Sequence, residues 1–125
     1  MNVHCAIFTA CELSTDQLVN EIADIVNAKN VFRGFVDTDT IAISVTENSD
    51  YNTELQRQFP DGFLHFKFKI DLEAERDYEV HLIDVTNSIL KWIWQKNCPA
   101  VAAADFENKL TNSGGYNSKA VPWLN

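Results

Sequence analysis

The chain predicts an α+β fold in which two helices pack on one face of an antiparallel sheet, and three observations lead there. Residues 63–73 alternate strictly, with Leu64, Phe66, Phe68, Ile70 and Leu72 on one side and His65, Lys67, Lys69, Asp71 and Glu73 on the other. A strand with one wet face belongs to an antiparallel sheet, because parallel sheets are buried on both faces. Residues 15–28 and 78–96 instead repeat their apolar side chains at helical spacing. Finally, 125 residues with 46% hydrophobic content suit one core and one domain, residues 1–125.

Taken in order, Val3 to Thr9 is a short run of β-formers with apolar residues at every second position on both sides (Cys5 and Ile7; Ala6 and Phe8). That pattern predicts a central strand. Ser14 and Gln17 then form a Ser-x-x-Gln capping box, with Leu13 placed to staple onto Leu18. Leu18, Val19, Ile22, Ile25 and Val26 give the helix that follows its buried face.

Val31 to Val36 and Thr40 to Thr46 read as two strands around the polar link Asp37-Thr38-Asp39. Residues 47–62 have the composition of a long loop, with room for a short helix between Tyr51 and Phe59. In the second helix only His81, Asp84, Ser88, Lys91 and Gln95 form a polar stripe, so most of its circumference is expected to be buried. Asn97, Cys98 and Pro99 end it. Val101 to Ala104 predicts a last strand and Asp105 to Leu110 a helical turn. The tail, residues 111–125, is rich in turn formers yet carries Tyr116, Val121, Trp123 and Leu124, so it is expected as an ordered irregular strap. The element order resembles the split β-α-β plan of ferredoxin-like sandwiches with one extra strand.

Eighteen acids against ten bases leave a formal charge of −8. Half of those acids (Glu47, Asp50, Glu54, Asp61, Asp71, Glu73, Glu75, Asp77 and Glu79) fall within residues 47–79. Such a surface repels nucleic acid and anionic membrane and attracts basic proteins. No apolar run is long enough to span a bilayer, and the first residues lack the basic start of a signal peptide. Cys5, Cys11 and Cys98 show neither disulfide-framework nor zinc spacing. A reducing cytoplasm fits them.

Candidate chemistry is sparse. His81 and Asp84 share a helix face, a geometry in which a carboxylate can orient an imidazole. The cationic row His65, Lys67, Lys69 is cancelled by Asp71 and Glu73, and the aromatics beside it are assigned inward, which removes the stacking platform RNA needs. Gly114-Gly115 lacks the helix and lysine of a phosphate loop, and Asp37-x-Asp39 lacks the glycine and glutamate of a calcium loop. No cofactor, metal or catalytic residue is assigned.

The segment Ala102-Ala103-Ala104-Asp105-Phe106-Glu107, followed by Gly114-Gly115-Tyr116, Ser118 and Val121-Pro122-Trp123, resembles the ending of small bacterial immunity proteins of contact-dependent inhibition and related toxin systems. The likeness covers the last quarter of the chain. It implies a non-enzymatic cytoplasmic protein that blocks a cognate toxin domain, and the acidic balance suits a basic nuclease as that partner. Charge and expected exposure place the contact on Asp37, Asp39, Glu47, Asp50, Glu54 and Asp61, with Tyr51 as aromatic anchor. Two other expectations are a small-molecule or enzymatic pocket between sheet and strap near Trp94, Tyr116 and Trp123, and a homodimer joined through surplus apolar surface on the second helix.

Overall fold

A computed structural model describes residues 1–124. The elements are β1 (Asn2–Thr9), α1 (Thr15–Val26), β2 (Asn30–Phe32), β3 (Phe35–Asp37), β4 (Ile41–Glu47), β5 (Phe68–Glu75), α2 (Glu79–Gln95) and β6 (Ala100–Ala104). The strands form a six-stranded sheet in the order β2-β3-β4-β5-β1-β6, antiparallel at every pairing. The α+β architecture expected from the pattern is present, with two added strands rather than one.

Both halves of the capping box start α1: the Gln17 amide donates to Ser14 Oγ at 3.2 Å and the Ser14 amide donates to Gln17 Oε1 at 2.9 Å. Asn27, left-handed at φ 54°, stops the helix. Leu18, Val19 and Ile22 of α1 and Leu82, Ile89, Leu90 and Ile93 of α2 enter one core with Cys5, Ile7, Ile43, Ile70 and Leu72 of the sheet. Each fully buried aliphatic side chain contributes about 1.5–3 kcal/mol, so this layer holds the helices in place. Thr86, also buried, satisfies its hydroxyl by donating to the Leu82 carbonyl at 2.8 Å. The surplus apolar surface expected on α2 is largely used here: Ile83, Trp92 and Trp94 pack against the same core. Val80, 74% exposed, is the exception.

Residues 31–36 are not one strand. Arg33 (φ 48°) and Gly34 (φ 86°) are both left-handed and fold the run into the β2–β3 hairpin, the backbone that a two-residue type I′ turn requires. The strand expected over residues 63–73 likewise begins only at Phe68. Asp61–His65 is a short 3₁₀ turn, which leaves Leu64 exposed and sends Phe66 to the opposite face of the sheet from Phe68. Regular alternation continued by chance across an element boundary, and the Asn48 amide side chain shows what overrode it. That group donates to the Leu64 and Phe66 carbonyls at 2.8 and 2.9 Å, pinning the chain away from the ladder.

As a result the face away from the helices is covered at one end. Phe8, Phe63, Phe66 and Val101 form a second small core, against which Trp123 and Leu124 pack. The strap starts beside α2, where the Thr111 amide donates to Asn87 Oδ1 at 3.0 Å, and reaches this face with Trp123 and Leu124; its final residue, Asn125, lies outside the described residues. At Gly114 a Cβ would lie 2.7 Å from the Ala102 carbonyl oxygen. The turn therefore abuts the outer edge of β6 and shields it from pairing with another strand.

Candidate functional site

The uncovered half of that face is built by strand alternation. Side chains at every second position of each strand project from it, and the registers align them in rows. One row crosses all six strands: Phe32, Phe35, Ser44, Asp71, Ala6 and Ala103. The next is Asn30, Asp37, Ala42, Glu73 and His4. Small side chains from Ala6, Ala42, Ser44 and Ala103 leave an open trough of about 760 Å³. Phe35, 58% exposed, walls it on the hairpin side, and Phe32, 55% exposed, stands beyond it as its cross-strand neighbour.

Acidic groups dominate its electrostatics. Asp71, Glu73 and Asp105 line it, with Arg76 at one end, and Asp37 and Glu75 continue the charge into the adjoining depression beside Asp39. Two neighbours offset little: Lys69 Nζ is 3.8 Å from Asp71 and His4 Nε2 is 3.4 Å from Glu73, all at exposed side chains. Exposed pairs of this kind are worth about 0–1 kcal/mol, so a partner's cation displaces them at small cost. At about 4.8 Å between strands, the distance from β3 to β6 is about 19 Å, enough for an α-helix of about 10–12 Å.

The residues expected at the contact surface do not form one patch. Asp37 and Asp39 sit at one end of β4 and Glu47 and Asp50 at the other; the ends of that seven-residue strand are roughly 20 Å apart at about 3.3 Å per residue step. Asp39 is ion-paired with Lys29 at 3.0 Å. Asp50 and Glu47 border a separate depression with His65 and Lys69, and Tyr51 is 44% exposed nearby in sequence. Glu54 precedes the 3₁₀ turn Leu55–Arg57. Asp61 accepts a hydrogen bond from the Tyr116 hydroxyl at 2.7 Å, tying the strap to the loop and raising the Tyr116 pKa.

Sequence reasoning missed Phe32 and Phe35, because one continuous strand would put them on opposite faces. The Arg33-Gly34 pair between apolar residues was the available signal. It also missed the trough, although alanines and a serine at alternate positions were visible.

The other candidates resolve differently. His81 Nδ1 lies 2.7 Å from Thr40 Oγ1, so the β3–β4 link orients the ring and not Asp84. Trp94, Tyr116 and Trp123 do not wall one pocket. Trp94 packs on the helix-side core and donates to the Ala100 carbonyl; Trp123 packs across the sheet on Phe66 and Phe59; Tyr116 meets Phe63 edge-to-face. Burial pushes the Cys5 thiol up to about 12 and raises Cys11 and Cys98 as well. Among the described residues, no group of His, Cys, Asp or Glu is placed to hold a metal ion, and no helix is long and apolar enough to cross a membrane. Neither a protein-family model, nor a curated protein, nor a solved structure matches the chain.

Proposed function

We propose that the protein is a cytoplasmic bacterial immunity protein, not an enzyme, which neutralises a basic toxin domain, a nuclease, by occupying its active site or substrate groove. The observation that carries this reading is the six-strand row with exposed Phe32 and Phe35 at one end and Asp71 and Glu73 over small side chains beside them. Exposed aromatic side chains act as anchors at the core of protein-binding surfaces, and charged groups around them set orientation and specificity. Opposite charge speeds and orients the encounter. In this reading the open sheet face is the main contact, while Asp37, Asp39, Glu47, Asp50, Tyr51, Glu54 and Asp61 border it and steer the approach. The likeness of the C-terminal quarter to immunity proteins supports the same partner class.

The test uses the compact C-terminal domain encoded by the neighbouring upstream reading frame. Titration of that domain with this protein should give a salt-sensitive one-to-one complex and abolish nucleic-acid cleavage. A neighbouring frame without a basic domain, or a domain that cleaves unimpeded, overturns the reading.

A second reading, self-association, is favoured by one observation: Phe32 and Phe35 lie exposed together on the short edge hairpin, with Val31 exposed on its other face. Sedimentation at rising concentration distinguishes the two.

A further inference from the structure

We propose that Cys11 and Cys98 form a reversible intramolecular disulfide, closed by a low-molecular-weight disulfide such as glutathione disulfide, that staples the β1–α1 turn to the α2–β6 turn. The proposal stands apart from the inhibitor reading. Its ground is the register of β1 and β6, which pairs Ile7 with Ala102 and Thr9 with Ala100. Pairing continues beyond the strands: the Ala10 amide donates to the Pro99 carbonyl at 3.1 Å, and the Thr9 hydroxyl donates to that same oxygen at 2.8 Å. The next facing residues are Cys11 and Cys98. Pro99 holds the residue before it in an extended conformation, which keeps Cys98 in line with the ladder.

Two details of ladder geometry favour a bond at this pair. Ala10 and Pro99 occupy a hydrogen-bonded position with the single bond that a proline allows; the next position along such a ladder is one without hydrogen bonds, where Cα atoms approach to about 4.5 Å, within the ~4.4–6.8 Å that a disulfide spans. Cys5, Ile7 and Thr9 of β1 and Ala100 and Ala102 of β6 are buried, with all but Thr9 in the helix-side core. Alternation then puts Cys11 and Cys98 on that side together, where Cys11 belongs to the core and Cys98 packs against it. The thiols are near enough that charge on Cys98 opposes ionisation of Cys11. Cys5 is excluded as a partner, lying six residues along β1 from Cys11, roughly 20 Å at about 3.3 Å per residue.

The chemistry balances as thiol–disulfide exchange. Cys98, the more exposed of the two, attacks as thiolate one sulfur of glutathione disulfide; the reagent's S–S bond breaks and one glutathione leaves, taking a proton. Cys11 as thiolate then attacks Cys98 Sγ in the mixed disulfide, forming the Cys11–Cys98 bond and releasing the second glutathione, which takes the second proton. Two electrons pass from the protein dithiol to the reagent.

The full chain should be incubated with glutathione disulfide and its intact mass and thermal midpoint recorded. A mass lower by about 2 Da, a cross-linked pair of peptides containing Cys11 and Cys98, and a raised midpoint that returns on adding dithiothreitol are expected. Cys5→Ala should keep all three effects, and Cys98→Ser and Cys11→Ser should lose them. Should Cys11→Ser fail to fold, Cys98→Ser at the half-buried position carries the test. A stable glutathione adduct on Cys98 without ring closure, a covalent dimer through Cys98, or no reaction overturns the proposal.

Discussion

Phe32 and Phe35 face each other across the β2–β3 hairpin and project from the same side of the sheet, although three positions separate them in the chain. Both rings stand more than half exposed, and Arg33 sits over the Phe32 ring at 5.1 Å. Such a pair adds little to folding. Replacing both by alanine should change unfolding free energy by no more than about 0.5 kcal/mol, while weakening the complex with the basic domain by roughly tenfold or more per ring. Urea unfolding together with calorimetric titration separates the two effects.

Asp71 and Glu73 lie two residues apart on β5 and share the open face. Asp71→Lys with Glu73→Lys should slow association by about an order of magnitude at low salt and much less at high salt, since screening shortens the range of exposed charges. Asp39→Lys, which breaks only the pair with Lys29, should move the rate far less. Stopped-flow rates at two ionic strengths decide this, and equal effects of the two variants would remove the trough from the contact.

Trp123 packs its ring at 5.2 Å from Phe66 and 5.1 Å from Phe59, and its Nε1 donates to the Arg57 carbonyl at 3.2 Å. It therefore joins the strap, the 48–66 loop and the second core. Trp123→Ala should cost about 3 kcal/mol and expose Phe66, measured as a lowered urea midpoint. Tyr116→Phe, which removes only an exposed hydrogen bond to Asp61, should move the urea midpoint far less.

The Cys5 thiol, raised by burial from 9.0 to about 12, stays protonated in the folded chain where the unfolded chain has lost its proton. The folded state then binds more protons, so stability falls as pH rises through that window, with a limiting slope of about 1.4 kcal/mol per pH unit. The contribution is fully present below 9.0 and lost by about 12. Cys5→Ala should flatten this alkaline decline in chemical denaturation, and Cys5 should resist iodoacetamide in the folded protein while Cys98 reacts first.

Local signals carried much of the fold. Ser14 and Gln17 mark the start of α1 because a cap is made by residues three apart, and the polar stripe of α2 reports burial because its period is a property of the helix itself. Alternation in β4 and in residues 68–73 fixed which side chains face the helices. Alternation could not show where a strand starts. Residues 63–66 kept the period while Asn48, fifteen or more positions away, held them out of the sheet. Nor could it separate one strand from two at Arg33-Gly34, since the choice rests on two left-handed residues.

What the linear chain determined by itself was the class of architecture, the faces of its helices and the acidic excess, because these follow from short periods and from composition. Tertiary structure alone decided the candidate site. Strand order brings Phe35, Ser44, Asp71, Ala6 and Ala103 from five separate strands into one row, and closes Cys11 against Cys98 from turns 87 positions apart. Such neighbours are made by backbone hydrogen bonding between distant segments, a relation that no local spacing encodes.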